Sequence, residues 1–169
     1  MTQPQATFDD IVRDYGPMIR RIALSYESAP ELADELVQEI YVAIWRALPS
    51  FRGQAALRTF LARIATNRAV SHVARAMRVP PSVGLDAELS SSLASPEHQA
   101  IARDRRAVLM AGVRRLPLTY RQPVMLVLEG LTFEEAGQVL GITSNAVGVR
   151  MSRAKQLLKD WIGEKNYVS

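Results

Sequence analysis

Two stretches of the chain carry basic side chains with no acidic partner, and such side chains bind phosphate. The first runs from Arg52 to Arg78 and contains six arginines and no Asp or Glu. The second lies between Glu135 and Asp160 and also contains no acid. A basic face requires an anionic ligand or plain solvent around it. The lack of acids in both stretches favours a phosphate-contacting surface over a solvated one.

Other kinds of chemistry lack the residues that they need. The chain has 169 residues, no cysteine and two histidines, His72 and His98. Thiolate catalysis, disulfides and Cys-ligated or multi-His metal sites are therefore excluded. No phosphate-binding loop, Gly-x-Ser-x-Gly motif or cluster of His with carboxylates is found. We expect no catalytic residue, no cofactor, no metal and no small-molecule substrate, and we expect both histidines to lie on the surface.

The sequence also lacks the patterns of a membrane or exported protein. Its longest charge-free run, residues 136–149, is too short and too polar to span a bilayer. The N-terminal residues have no basic segment followed by an apolar one, so no signal peptide is predicted. These patterns predict a cytoplasmic protein without membrane insertion.

The formal net charge of +4 is distributed unevenly along the chain. Residues 1–78 have a net charge of +2, residues 79–99 of −3 and residues 100–169 of +5. The middle segment is rich in proline and serine, a composition typical of linkers. We predict two small helical domains, residues 1–78 and 96–169, joined by a flexible linker at residues 79–95. The alternative is a surface loop within a single helical domain.

The first domain is predicted to contain three helices. The spacing of apolar residues from Phe8 to Tyr26 is helical. The segment Ser28–Glu31 resembles a capping box with Ser28 as the N-cap, so a second helix should begin there. A third helix is expected from about Ala56 to Met77. The second helix has an apolar face that should be buried: Leu32, Leu36, Val37, Ile40, Tyr41, Ile44 and Leu48.

The second and third helices have opposite charge. Acidic residues occupy the polar face of the second helix, which has no basic residue before Arg46. The third helix is basic, and Asn67 lies one turn after Arg63. An acidic face favours a basic protein partner and a basic face favours nucleic acid. The first domain is therefore predicted to bridge a protein and a nucleic acid.

The second domain contains a helix–turn–helix pattern. Thr132 and Glu135 form a capping box before a short apolar helix, residues 133–140. Gly141 can adopt the left-handed conformation that a tight turn requires, and Thr143 or Ser144 can cap the next helix. Because its second helix has no acidic residue, the pattern favours sequence-specific DNA binding over the alternative, an ordinary helical hairpin.

Two segments of the sequence are similar to those of a known family. Residues 31–75, which include DELVQE and FRG, resemble region 2 of bacterial sigma-70 family sigma factors. Residues 113–161, which include the helix–turn–helix, resemble region 4. The order of the two segments and the absence of a region 3 between them match the small extracytoplasmic-function (ECF) subgroup. The resemblance implies an all-α protein that directs promoter-specific transcription initiation and is not an enzyme.

The resemblance also implies partners and site residues. The partners are RNA polymerase core, through the β′ clamp helices and the β flap, promoter DNA, and an anti-sigma factor that could hold the protein at the inner membrane. Residues matching the core-docking segment are Asp34, Glu35, Leu36, Gln38 and Glu39. Those matching the −10 element site are Phe51, Arg52, Gly53, Arg58, Thr59, Phe60, Arg63, Asn67 and Arg68. Those matching the −35 element site are Asn145, Ala146, Gly148, Val149, Arg150, Ser152 and Arg153.

Two other functional classes remain as alternatives. The first is a helix–turn–helix regulator that binds a palindromic operator as a dimer, which would explain the second domain. Its weakness is that the first domain has no dimerisation heptads. An enzyme is the third class, and Glu134 and Glu135 are better explained as the first turn of a helix than as a catalytic pair.

Overall fold

Helices α1, α2 and α3 pack pairwise around an aliphatic core in the first half of the chain. The computed structural model describes residues 6–78 and 97–166. The most deeply buried side chains here include Ile11, Ile19, Leu36 and Ile40, all with 0% exposure. The three helices are α1 Phe8–Tyr26, α2 Pro30–Ala47 and α3 Leu57–Arg78, with a 3-10 turn at Leu48–Ser50 after α2.

The helix starts in this half are only partly those predicted. Helix α1 begins at a capping box between Thr7 and Asp10, which lowers the pKa of the Asp10 carboxyl through the Thr7 hydroxyl. The predicted capping box at Ser28 is wrong. Ala29 is the N-cap of α2 and makes no side-chain cap bond, and its N–H donates to Glu27 Oε1 at 2.9 Å. The prediction that Leu32 is buried is also wrong, since this residue is 44% exposed.

Four helices form the second half of the described chain. They are α4 Glu97–Arg115, α5 Leu118–Leu128, α6 Phe133–Leu140 and α7 Ser144–Asn166. Helices α5 and α6 both pack against α7, and α4 contacts α5 and α7. No strand occurs in residues 6–78 or 97–166. The predicted all-α class is confirmed, whereas the predicted linker at residues 79–95 lies outside the described residues.

The helix–turn–helix forms by the local chemistry that its sequence predicts. The Glu135 N–H donates to Thr132 Oγ1 at 3.1 Å, and the Thr132 N–H donates to Glu135 Oε2 at 2.8 Å. Gly141 ends α6 with a φ of 68°. The Thr143 hydroxyl accepts from the Ala146 N–H at 3.1 Å and thereby caps α7. These three signals place α6 and α7 on either side of a tight turn.

Gly137 sets how closely α6 and the turn approach each other. The Ile142 N–H donates to the Gly137 carbonyl at 3.0 Å. A Cβ atom on residue 137 would lie 2.6 Å from the Ile142 carbonyl oxygen, which is closer than atoms can pack. Only glycine fits this position without moving the backbone.

The two halves contact each other. Helices α5 and α6 pack against α3, and α4 packs against α1. The aliphatic core runs on from the first half into the second, where Val113, Leu126 and Val147 are fully buried. The described helices include none with the length and hydrophobicity needed to cross a membrane.

Candidate nucleic-acid and protein interfaces

The loop before α3 and the first turn of α3 bring two aromatic rings together. The ring centroids of Phe51 and Phe60 are 4.7 Å apart at an interplanar angle of 39°. Arg52 donates from Nη1 to the Pro49 carbonyl at 2.6 Å, which fixes its stem along the loop. Gly53 has a φ of 75°, so the turn needs a residue that tolerates the left-handed region. Four of the residues that match the −10 element site thus share one small structural unit.

The outer face of α3 presents polar side chains away from the core. Arg63, Asn67 and Arg68 are exposed, and Arg63 and Asn67 are neighbours one turn apart. Thr59, which also matches the family's −10 site, is 1% exposed and packs inside. The face available to a ligand therefore consists of the arginines and Asn67, with Thr59 supporting it from below.

Part of this face is covered by the second half of the chain. Arg63 Nη2 donates to the Gln138 carbonyl of α6 at 3.0 Å. Gly130 lies so close to Arg58 that a Cβ on residue 130 would be 3.0 Å from Arg58 Nη1. Both arginines therefore contact the backbone of the second half, although both residues remain exposed to solvent.

Helix α2 carries the acidic residues predicted to bind a protein. Asp34 is paired with Arg20 of α1, and Glu39 accepts from Arg75 Nη2 of α3 at 2.7 Å. Leu36 has 0% exposure and belongs to the core, so its side chain can only support the docking face from within. Glu35 and Gln38 remain exposed on this helix.

Two exposed apolar residues on α2 extend this face and were missed by the sequence reasoning. Val42 is 48% exposed and Trp45 is 63% exposed. At 100° per residue both lie on the same side of α2 as Glu35 and Gln38. The sequence could have revealed these residues, because the helical spacing places Val42 and Trp45 outside the buried face that runs from Leu36 to Ile44. An exposed apolar patch with polar neighbours is typical of a protein-binding surface.

Helix α7 is held by one buried stripe and presents the opposite face to solvent. Val147, Met151 and Ala154 are at most 8% exposed and pack against α5 and α6. The opposite face is polar apart from one residue, Val149, which is 63% exposed. This face contains Asn145, Val149, Ser152, Arg153 and Gln156.

The remaining residues of the −35 set lie on the flanks of α7. Ala146, Gly148 and Arg150 are half-buried. A Cβ on residue 148 would lie 3.5 Å from the Phe133 ring, an ordinary packing distance. Gly148 therefore faces α6, and Arg150 and Arg153 make no ion pair within the described part of the chain.

An ion pair whose carboxylate is buried joins the two halves. Arg21 of α1 donates from Nε and Nη2 to the two carboxylate oxygens of Glu129, at 2.8 and 2.7 Å. The Glu129 side chain is 5% exposed and that of Arg21 is 47% exposed. The hydrogen bonds that Arg21 donates to Glu129 raise the pKa of Arg21. Both pairs of atoms meet in the fork geometry that makes arginine–carboxylate contacts specific.

Tyr26 and Arg121 form a second contact between the halves. The Arg121 guanidinium lies 5.7 Å from the centroid of the Tyr26 ring. Burial raises the pKa of the Tyr26 hydroxyl, which has no hydrogen-bond partner among the described residues. Burial also lowers the pKa of Arg121. Arg114 Nη1 adds a bond to the Leu24 carbonyl at 3.3 Å.

One polar pair contradicts an expectation from the sequence. His72 was expected on the surface, but its side chain is only 17% exposed, and its Nε2 lies 2.9 Å from Glu27 Oε2. The pair ties α3 to the end of α1. Within the described residues no group of three or more His, Asp or Glu side chains could hold a metal ion.

Comparison with known proteins identifies the family to which the chain is similar. Residues 11–79 match sigma-70 region 2, and residues 106–158 match sigma-70 region 4. The chain is 30% identical to the RNA polymerase sigma factor NccH of Alcaligenes xylosoxydans xylosoxydans, with 91% of this chain and 86% of that protein covered. It is 28% identical to the ECF RNA polymerase sigma-E factor of Escherichia coli strain K12, covering 91% of this chain and 85% of that protein.

Solved structures share the fold. CnrH in complex with the cytosolic domain of CnrY aligns with a TM-score of 0.68 at 23% identity, covering 93% of this chain and 88% of that one. The sigma factor RpoE in complex with the anti-sigma factor NepR from Bartonella quintana aligns with a TM-score of 0.69 at 22% identity, covering 92% and 96%. With regions 2 and 4 matched in order, the chain belongs to the sigma-70 family and is an ECF RNA polymerase sigma factor.

Proposed function

We propose that this sigma factor binds RNA polymerase core and directs initiation at promoters whose −35 and −10 elements it contacts with separate halves. The observation that carries the proposal is the pair of basic helices, α3 and α7, one within each matched region. Each has a face of exposed polar and basic side chains opposite its buried residues. The functional division is proposed at residues 1–78 for region 2, 79–95 for the linker and 96–169 for region 4.

Polymerase core is proposed to dock on α2. Glu35 and Gln38 supply polar contacts, and Val42 and Trp45 supply apolar area beside them. Asp34 and Glu39 already have basic partners, Arg20 and Arg75. A basic partner protein would therefore compete with these intramolecular pairs, and Glu35 should contribute more than Asp34 or Glu39. The β flap is proposed as the partner of region 4.

The −10 element is proposed to bind the aromatic pair Phe51 and Phe60 and the polar face of α3. Opening a duplex and flipping a base costs a few kcal/mol, and stacking on an aromatic ring together with phosphate contacts offsets that cost. Arg58 and Arg63 are suited to the phosphates, and Asn67 to a base edge. Since Arg63 is held by the Gln138 carbonyl, α6 has to move off α3 before DNA can lie there.

The −35 element is proposed to bind the exposed face of α7 in the major groove. Arg153 can donate two hydrogen bonds to a base edge, Asn145 can donate one and accept one, and Arg150 on the flank suits a phosphate. This surface is open in the arrangement seen here, unlike that of α3.

Regulation by an anti-sigma protein is proposed because one structural relative, RpoE, is described in complex with the anti-sigma factor NepR. A cytoplasmic location, and an attachment to the inner membrane through an anti-sigma factor, fit this proposal. The same assignment makes the protein a specificity subunit without enzymatic activity of its own.

Run-off transcription tests the proposal directly. Purified protein is added to core polymerase on genomic DNA of the source cell, and transcript starts are mapped. We expect new start sites that share two conserved elements upstream. A chain that neither binds core nor redirects initiation would overturn the proposal, and sequence-specific binding to a palindrome without polymerase would favour the stand-alone regulator.

A further inference from the structure

The exposed face of α7 contains a single apolar side chain, and this side chain can read a particular chemical group on DNA. Val149 is 63% exposed, about half a turn around the helix from the buried Val147. Its neighbours one turn before and after are Asn145 and Arg153, both polar and exposed. Among the residues opposite the buried stripe, Val149 alone offers methyl groups.

The local structure holds Val149 outward. The Thr143 cap fixes the start of α7, and Val147, Met151 and Ala154 anchor its inner face. A valine in a helix has one strongly preferred side-chain rotamer, so its two methyl groups point in a defined direction. Gly148, next to it, faces Phe133 instead of solvent, which leaves Val149 to form the surface at this level of the helix.

The major groove presents only one apolar group of matching kind. Guanine, cytosine and adenine display hydrogen-bond donors and acceptors there, whereas thymine adds a C5-methyl group. Placing the Val149 methyl groups against donors or acceptors would bury polar groups without partners, which is unfavourable. Placing them against a thymine methyl group removes apolar surface from water on both sides.

We propose that Val149 reads the C5-methyl group of a thymine in the −35 element. This inference rests on the proposed function, in which α7 lies in the major groove of that element. Asn145 and Arg153 each lie about 6 Å along the helix axis from Val149, which is roughly two base-pair steps. The thymine should therefore lie between the bases that these two side chains contact.

Removal of a single methyl group from the DNA tests the inference. The run-off experiment supplies a promoter, and each thymine of its −35 element, on either strand, is replaced singly by uracil. Uracil keeps the base pair and lacks only the C5-methyl group. With the natural protein at subsaturating holoenzyme, one replacement should lower transcription about fourfold, the effect of one buried methyl group.

Protein variants show whether Val149 is the side chain that senses this methyl group. Val149→Ala should lower transcription from the natural promoter by a similar factor and should lose its sensitivity to uracil at that one position. Val108→Ala, at another exposed helical valine with 38% exposure, should behave like the natural protein. Since Val149 contributes nothing to the core, its variant should fold normally.

Each result separates the inference from the proposed function. Promoter-dependent transcription that tolerates uracil at every −35 position, a −35 element with no thymine on either strand, or an unchanged uracil effect in Val149→Ala would overturn the inference and leave the proposed function standing. Absence of any promoter-dependent transcription would overturn both, and it would be seen before uracil is introduced.

Discussion

Helices α3 and α7 are similar as sequences and differ in their surroundings. Both are long, with 22 and 23 residues, and both carry acid-free basic segments. Two arginines of α3 are engaged within the molecule, Arg63 by the Gln138 carbonyl and Arg75 by Glu39. Arg153 of α7 has no such contact in the described residues. Charge pattern predicts which surfaces suit DNA, and tertiary packing decides which of them is open.

The reason for the difference lies in how many neighbours each helix has. Among the described residues, helix α3 packs against α1, α2, α5 and α6, whereas the main contacts of α7 are with α4, α5 and α6. Part of the α3 face therefore lies against the second half, while Arg63, Asn67 and Arg68 keep exposed surface. The comparison therefore predicts that α7 can bind DNA in the arrangement seen here and that α3 requires the halves to separate.

The largest effect should come from reversing a charge on the open helix. Arg153→Glu replaces a base-edge donor by an acid facing DNA phosphates. Loss of a base-contacting arginine costs about 1–3 kcal/mol, and repulsion adds to it, so promoter-dependent transcription should fall more than about 100-fold. Run-off transcription measures this, and core binding should be unchanged. Lys159→Glu, two turns further along α7, is the matched control. An equal loss in both variants would contradict a specific role for Arg153.

Breaking the Arg21–Glu129 pair should make the basic face of α3 more accessible, as that of α7 already is. Glu129→Ala removes both hydrogen bonds of this pair, worth about 1–2 kcal/mol for a pair whose arginine is half exposed. The separated form should become roughly 5- to 30-fold more populated. Fluorescence energy transfer between dyes on α1 and α7 reports the separation. Glu134→Ala, at an exposed residue of α6, should leave transfer unchanged, and an equal response in both variants would contradict the role of the ion pair.

A substitution on the covered helix should affect only DNA opening. Asn67→Ala removes a polar group from the α3 face without touching α2, so promoter melting should weaken about tenfold, the value of one lost base contact. Permanganate reactivity of unpaired thymines measures melting, and a pull-down measures core binding. Loss of core binding in this variant would contradict the assignment of α3 to DNA.

The smallest effect is expected at a glycine of the open helix. Gly148→Ala adds a Cβ at an ordinary packing distance from Phe133 and removes the helix cost of glycine, so the free energy of unfolding should rise by up to about 1 kcal/mol. Thermal unfolding measures it. Gly137→Ala is the contrasting variant and should destabilise the protein, since its Cβ would meet the Ile142 carbonyl oxygen. A stabilising Gly137→Ala would contradict the close approach of α6 to the turn.

Local features of the fold follow from the sequence where short-range chemistry decides them. Thr132, Glu135 and Gly141 are sufficient to predict the helix–turn–helix, because each acts on backbone groups within a few residues. The Ser28 cap failed for the same kind of reason. The neighbouring Glu27 carboxylate accepts from the Ala29 N–H, a competing local bond that the cap pattern does not show.

Contacts between the halves could not be predicted in this way. Arg21 and Glu129 are separated by 108 positions, and nothing near either residue indicates the other. Tyr26 was expected on the apolar face of α1. The contact between its ring and the Arg121 guanidinium depends on where α5 packs, which the sequence does not indicate. The candidate DNA faces could be proposed from acid-free arginine runs and a family resemblance, and the burial of Leu36 from its apolar spacing, whereas the burial of Thr59 became clear only from the packing.

The close approach at Gly137 has a consequence for the entropy of DNA binding. Because α6 and the turn meet backbone to backbone, the geometry of the turn between α6 and α7 is fixed by contacts that have no rotamers to change. The binding face of α7 is thus preorganised, and little conformational freedom remains to be lost when it enters a groove. The entropic cost of promoter recognition then falls mainly on separating the two halves, where a partner protein can raise or lower it.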